Sequence, residues 1–179
     1  GMGGKEAFVN KLDTLFSVSS KLSENTPSDV SGLIGQYAHG NEPSHHVAYL
    51  YALAGAPHKT QAIVHQISSN LYSNQPDGLC GNEDMGQMSA WYIFSSLGFY
   101  PVNPAVGEYV LGTPAFEEVI LRLPNANVFK IVKDETIPGS FLVDKVFLNG
   151  MEITNGILTH KQILEGGELV FQMSSNNDF

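Results

Sequence analysis

Apolar residues Phe8, Leu12, Leu15 and Phe16 recur at i, i+4, i+7 and i+8 and predict a helix over 5–20. Residues 21–40 are rich in Ser, Asn, Pro and Gly and read as loop. Helical spacing returns in "PSHHVAYLYALAG", where Pro43 suits a first turn and Gly55 a C-cap. Pro57 can open the next helix, which carries Ile63, Val64, Ile67 and Leu71 on one side. After the loop "SNQPDGLCGNE", the run "MGQMSAWYIFSSLG" predicts a further helix. Asp84 is its expected N-cap, Gln87 completes a capping box and Gly98 closes it.

The texture changes after Tyr100. "PVNPAVGEYVLGTPAFEE" holds three prolines and two glycines and reads as a crossing loop over 101–117. Short β-type runs follow at 118–123, 128–132, 142–150 and 168–173. Val119, Leu121 and Leu123 alternate with Ile120 and Arg122, "LNG" marks a turn, and "THKQILEGG" reads as a short helix or an irregular stretch. The chain therefore divides into a helical part, 1–100, and a β-rich part, 118–179, an α+β organisation.

The phrase Gly-Asn-Glu occurs twice, at 40–42 and 81–83, each time before a helix. Two helices joined by the short turn at Gly55–Pro57 run antiparallel, so the third lies parallel to the first. Both phrases are then expected at one end of the helical layer. They would gather Glu42, Glu83, Asp84, Asn41, Asn82, His45, His46 and Gln87. Helix N-termini favour anions by only about 0.3–1 kcal/mol. Crowded carboxylates therefore call for a raised proton affinity on one of them or a bound cation. Oxygen donors select a hard ion, Ca²⁺ above all, over Zn²⁺.

Each feature also has a bland reading. An acidic residue at a helix start is most often a cap. Adjacent His45 and His46 point in different directions, as one core and one surface histidine would. His58, His65 and His160 read as structural or exposed, and Trp91, Tyr92 and Phe94 as core, although an aromatic beside a polar site can stack on a sugar.

Composition narrows the classes. With 42% hydrophobic residues over 179 positions the chain can build a core. A net charge of −9 without a Lys/Arg cluster argues against nucleic acid. No apolar run is long enough for a membrane span. The single cysteine, Cys80, excludes an internal disulfide. The start "GMGGKEAFVN" lacks the form of a signal peptide, and a helix beginning near Lys5 is expected of a segment cut from something longer.

The phrases "GLIGQYAHGNEPSHHVAYLY" and "PDGLCGNEDMGQMSAWYIFSSLGFYPVNPAVGEYVLGTPAFEEVIL" closely resemble the C-terminal part of glycoside hydrolase family 92, the calcium-dependent exo-acting α-mannosidases. That resemblance implies an N-terminal β-sandwich and an (α/α)6 barrel, of which 1–100 would be the last helices, followed by an antiparallel β-rich end. It implies inversion, with an acid and a base roughly 6.5–9.5 Å apart. It places the general base in the second phrase, on Asp84 with Glu83 as alternative or support. It places calcium at the first phrase, on Glu42 and Asn41. His45 and His46, and more weakly Gln87 and Trp91, would line the sugar pocket. The family's general acid, an upstream glutamate among aromatics, has no counterpart here; Glu6 and Glu24 lie in unrelated surroundings.

The implied partners are a mannose-containing glycan, probed by an α-1,2-type activity, and the missing N-terminal part of the same protein. The fragment alone is expected to be inactive and to self-associate through uncovered helix faces. Export to the periplasm, the cell surface or the medium of a bacterium is the implied location. The rival reading is a carbohydrate-binding or interaction module without catalysis.

Overall fold

A computed structural model describes residues 3–21, 30–134 and 138–175. Helix α1 spans Lys5–Ser17 and buries Leu12, with Phe8 and Phe16 half-covered at the same face. A two-residue hairpin, β1 (Leu33–Ile34) with β2 (Tyr37–Ala38), lies inside the stretch read as loop. The helix expected over 43–55 is instead a chain of tighter turns. 3-10 segments at Glu42–Ser44 and Val47–Tyr49 lead into one α turn, α2 (Leu50–Leu53). Proline at the start and β-branched or aromatic residues at each step favour short pieces of this kind.

Helix α3 (Pro57–Asn70) begins at its proline, whose missing N–H costs nothing there. The α2–α3 corner is locked by Thr60. Its hydroxyl accepts from Ala52 N–H at 3.0 Å and donates to the Ala48 carbonyl at 2.8 Å. α1 is tied to this corner through Asp13, which accepts from Lys59 Nζ at 2.6 Å and from Tyr51 Oη at 2.9 Å. Helix α4 (Gln87–Ser96) follows and carries the fully buried Trp91.

The stretch read as a crossing loop is more ordered than its prolines suggest. β3 (Phe99–Tyr100) pairs with β4 (Glu108–Leu111), and β4 pairs in turn with β9 (Ile157–Thr159), all antiparallel. The remaining strands are β5 (Glu118–Arg122), β6 (Val128–Asp134), β7 (Val143–Leu148), β8 (Met151–Glu152) and β10 (Gly167–Met173). They form a sheet in the order β5-β6-β10-β7-β8. The expected all-antiparallel arrangement is corrected at one place: β10 runs parallel to β6. β10 enters between β6 and β7 after a return through α5 (His160–Glu165), and that long connection sets its direction. "LNG" makes the β7–β8 turn, with Asn149 and Gly150 both at positive φ. "THKQILE" is helical because Thr159 and Gln162 build a capping box.

Alternation does the packing in the sheet. Phe129 and Ile131 of β6, and Leu169, Phe171 and Met173 of β10, all face one core. A second core holds Tyr37, Tyr49, Val64, Ile67 and Trp91 in the helical part. Phe94 packs against both. Gly98 permits the junction: at φ 93° it lets the Phe171 ring lie where a Cβ would be 2.7 Å away. The mixed helix-and-sheet class stands.

Candidate functional site

The two Gly-Asn-Glu phrases touch each other through their glycines. A Cβ on Gly81 would lie 2.7 Å from both Cα and the carbonyl oxygen of Gly40. A Cβ on Gly32 would lie 2.4 Å from Cys80 Sγ, so this thiol wedges between the loops as packing. Gly81→Ala must therefore push backbone apart and is expected to lower stability by about 1–3 kcal/mol, read from urea unfolding. An unchanged midpoint would mean the loops separate readily.

In the first loop, the β1–β2 hairpin delivers Gly40, whose N–H donates to the Ser31 carbonyl at 3.1 Å. The Ser44 hydroxyl then closes the turn on the Ala38 carbonyl at 2.6 Å. Glu42 is exposed and His46 half-exposed, whereas His45 is only 1% exposed.

In the second loop the backbone is unusual. Asp84 has φ 48°, Met85 φ 56° and Gly86 φ 90°. Two successive non-glycine residues in the left-handed region carry strain of about 1–3 kcal/mol each. The expected Asp84 cap and its capping box with Gln87 are not formed: the N-cap is Gly86, without a side-chain bond. Glu83 does the capping. Its carboxylate accepts from Ser89 N–H at 3.0 Å and from Ser89 Oγ at 2.9 Å. Glu83 is thus spent on the helix end, while Asp84 stands exposed on the turn.

Beneath the loops lies a buried polar chain. Trp91 Nε1 donates to the His45 carbonyl at 3.0 Å. His45 Nε2 faces the His39 carbonyl at 2.9 Å and must therefore carry the proton. Its Nδ1 is then an acceptor and takes an N–H of Gln87 at 3.1 Å. The same amide nitrogen donates to Tyr100 Oη at 3.2 Å. Tyr72 Oη donates to the Met88 carbonyl at 3.1 Å, so it accepts from His39 Nε2 at 2.7 Å. His39 Nδ1 then accepts from Tyr37 Oη at 2.8 Å.

Burial lowers the His39 pKa to about 3, with the neighbouring His45 adding to the effect. Burial also lowers His45, partly offset by its bond to the His39 backbone and by the negative fields of Glu42 and Asp84. One residue from each loop therefore acts on the same imidazole. Burial raises Tyr100, offset in part by Gln87.

A cleft of about 470 Å³ opens beside this chain, walled by Glu42, His46, Gln87, Tyr100, Phe94 and Tyr109. Its lining among the described residues omits Asn41, Glu83 and Asp84. The structure places two of the residues expected at the sugar pocket behind the cleft. Trp91 is 0% exposed and stacked on Tyr72, and His45 has both ring nitrogens occupied. Both belong to the wall behind the cleft, because their N–H groups are needed to satisfy buried carbonyls. A larger hollow of about 540 Å³, between Gln61 and strands β7 and β8, contains none of the site residues.

Ca²⁺ takes 6–8 oxygen ligands. Among the described residues no group of three His, Cys, Asp or Glu side chains is placed to hold a metal. Glu42 and Asn41 could supply only part of such a shell, so these residues do not by themselves fit the ion. Glu6 is exposed in the first turn of α1, far in sequence from either loop, and Glu24 lies outside the described residues. His39 and Tyr100 are site residues that sequence reasoning missed. "AHGNE" does place a histidine against the repeated phrase, but nothing in the pattern marks Tyr100.

The chain is 42% identical to a family 92 α-mannosidase from Bacteroides thetaiotaomicron solved with mannoimidazole, with TM-score 0.88, covering 97% of this chain and 23% of that one. It is 39% identical to a family 92 inverting mannosidase from the same organism, with TM-score 0.81, covering 98% and 25%. A protein of Arthroderma benhamiae described as an uncharacterized secreted glycosidase is 28% identical over 171 residues, 94% of this chain and 20% of that protein. The chain thus spans about a fifth to a quarter of the relatives it matches. A family model for the glycosyl hydrolase family 92 catalytic domain matches residues 1–175, and the chain belongs to that family.

Proposed function

We propose that this segment supplies the base side of the active site of an inverting, calcium-dependent exo-α-mannosidase, of α-1,2 type. Residues 1–100 are the closing helices of an (α/α)6 barrel, 101–117 a crossing segment and 118–179 the β-rich end. The observation that carries the reading is the contact of Gly40 with Gly81, which brings together the two loops that bear Glu42 and Asp84. Asp84 is the general base: it removes a proton from water as that water attacks the anomeric carbon. Its exposure and strained turn suit a carboxylate aimed at solvent, whereas Glu83 supports it by holding the helix end. His46 and Gln87 contact the sugar, and His45 and Trp91 hold the wall. The general acid comes from the part of the protein outside this segment, as does most of the cation shell that Glu42 and Asn41 join. When bound, the ion would polarise sugar hydroxyls. Export of the full protein follows the description of the fungal relative.

The test is the full-length protein assayed on α-1,2-mannobiose with NMR of the released anomer. β-Mannose as first product supports the reading; α-mannose, or no hydrolysis of any α-mannoside, defeats it. Glu42→Gln is expected to raise the calcium concentration needed for half-maximal activity by about tenfold or more. An unaltered calcium requirement removes Glu42 from the metal.

A further inference from the structure

The hydrogen-bond chain behind the cleft fixes which way the Gln87 amide faces. The His39 carbonyl demands a proton on His45 Nε2, which leaves Nδ1 as an acceptor. An acceptor can face only the NH₂ end of Gln87, 3.1 Å away. The second N–H of that amide goes to Tyr100 Oη at 3.2 Å, so the phenol oxygen accepts there. Two capacities are left over on the cleft wall. Among the described residues nothing donates to Gln87 Oε1, and Tyr100 Oη donates to no acceptor. Both residues line the cleft. The phenol oxygen lies 3.2 Å from the amide nitrogen to whose carbon Oε1 is bonded, so both atoms belong to one short stretch of the wall.

We infer that Gln87 and Tyr100 form a clamp for a single sugar hydroxyl, which donates to Gln87 Oε1 and accepts from the Tyr100 O–H. An alcohol fits this pair because it is both donor and acceptor. A carbonyl or carboxylate without a hydrogen satisfies only Tyr100, and an ammonium only Gln87. His45 is a positioning residue: it never meets the sugar, but without its Nδ1 the amide is free to turn over and present NH₂. The inference rests on the sugar-binding reading of the cleft and adds the two residues, their polarity and the buried imidazole that imposes it.

The experiment uses the full-length protein and binding of mannose and its 2-, 3-, 4- and 6-deoxy analogues, read as inhibition constants. In the wild type one deoxy analogue is expected to bind about tenfold more weakly than mannose, the loss of one hydrogen-bonded hydroxyl. Tyr100→Phe and Gln87→Met are each expected to weaken mannose by a similar factor and to erase most of that analogue's penalty. His45→Phe is expected to do the same, although it leaves the clamp residues in place. Variants that weaken all five sugars equally, with the deoxy penalty intact, overturn the inference and leave the sugar-binding reading standing. Failure of mannose to bind the wild type overturns both. Thermal unfolding monitors each variant, and Gln87→Met, on the cleft surface, keeps the test decisive if a buried replacement fails to fold.

Discussion

Asp84→Asn in the full-length enzyme is expected to cut turnover by about 10²–10⁴-fold while KM changes little, the signature of a lost general base. Asparagine tolerates the left-handed region at least as well as aspartate, so φ 48° is kept and stability should hold. Azide, a nucleophile that needs no base, is expected to restore part of the lost rate. Two companion variants separate chemistry from architecture. Met85→Gly relieves a residue at φ 56° and should stabilise the protein by about 1 kcal/mol with activity retained. Glu83→Gln disturbs the cap on Ser89 and should cost about 1 kcal/mol, with a far smaller loss of rate. If Glu83→Gln is the variant that loses the rate and Asp84→Asn works nearly normally, the two roles are reversed.

The cap explains why the two carboxylates could not be told apart from sequence. A rule that assigns the residue before a helix as its cap selects Asp84, and the pattern Asp84-x-x-Gln87 strengthens that choice. The rule fails because Asp84, Met85 and Gly86 all turn left-handed. The helix start therefore moves to Gln87, and the side chain within reach of Ser89 becomes Glu83. Only φ angles reveal this, and two of the three residues are not glycine.

The meeting of the two Gly-Asn-Glu loops was legible because it follows from helix count and short turns. The polar chain below them was not. The family resemblance implied pocket roles for His45 and Trp91, whereas the residues read alone suggested a core tryptophan and one core histidine of the pair; both are buried, and their N–H groups satisfy the backbone carbonyls of His39 and His45. In the β-rich end, alternation over Val119, Leu121 and Leu123 located β5 correctly. No local pattern could tell that β10 would slot in parallel to β6, since that depends on a partner 38 residues away.

Acid should unfold the segment through His39. The folded structure keeps this imidazole neutral down to about pH 3, against 6.5 for a free histidine. The sign follows from which state takes the proton. Below 6.5 the unfolded chain protonates and the folded chain does not, so stability is complete above that pH and falls as pH drops toward 3. At about 1.4 kcal/mol per pH unit, the loss reaches roughly 2 kcal/mol at pH 5 and about 5 kcal/mol at the lower limit. The geometry gives the penalty its cause. His39 is 0% exposed, its ring stacks on His45 at 4.7 Å and meets the edge of Trp91 at 4.4 Å, and among the described residues no carboxylate bonds to it. A proton on Nδ1 would also force the Tyr37 hydroxyl, which donates there, to turn its hydrogen away and accept instead. His39→Gln is expected to be less stable at pH 7.5, having lost two hydrogen bonds, yet to show a flatter decline, so that the two stability curves converge toward pH 4. Histidine NMR gives the direct reading. An imidazole assigned to His39 that titrates near 6.5 with the fold intact would mean the ring is solvated, and the polar chain that positions Gln87 would lose its anchor.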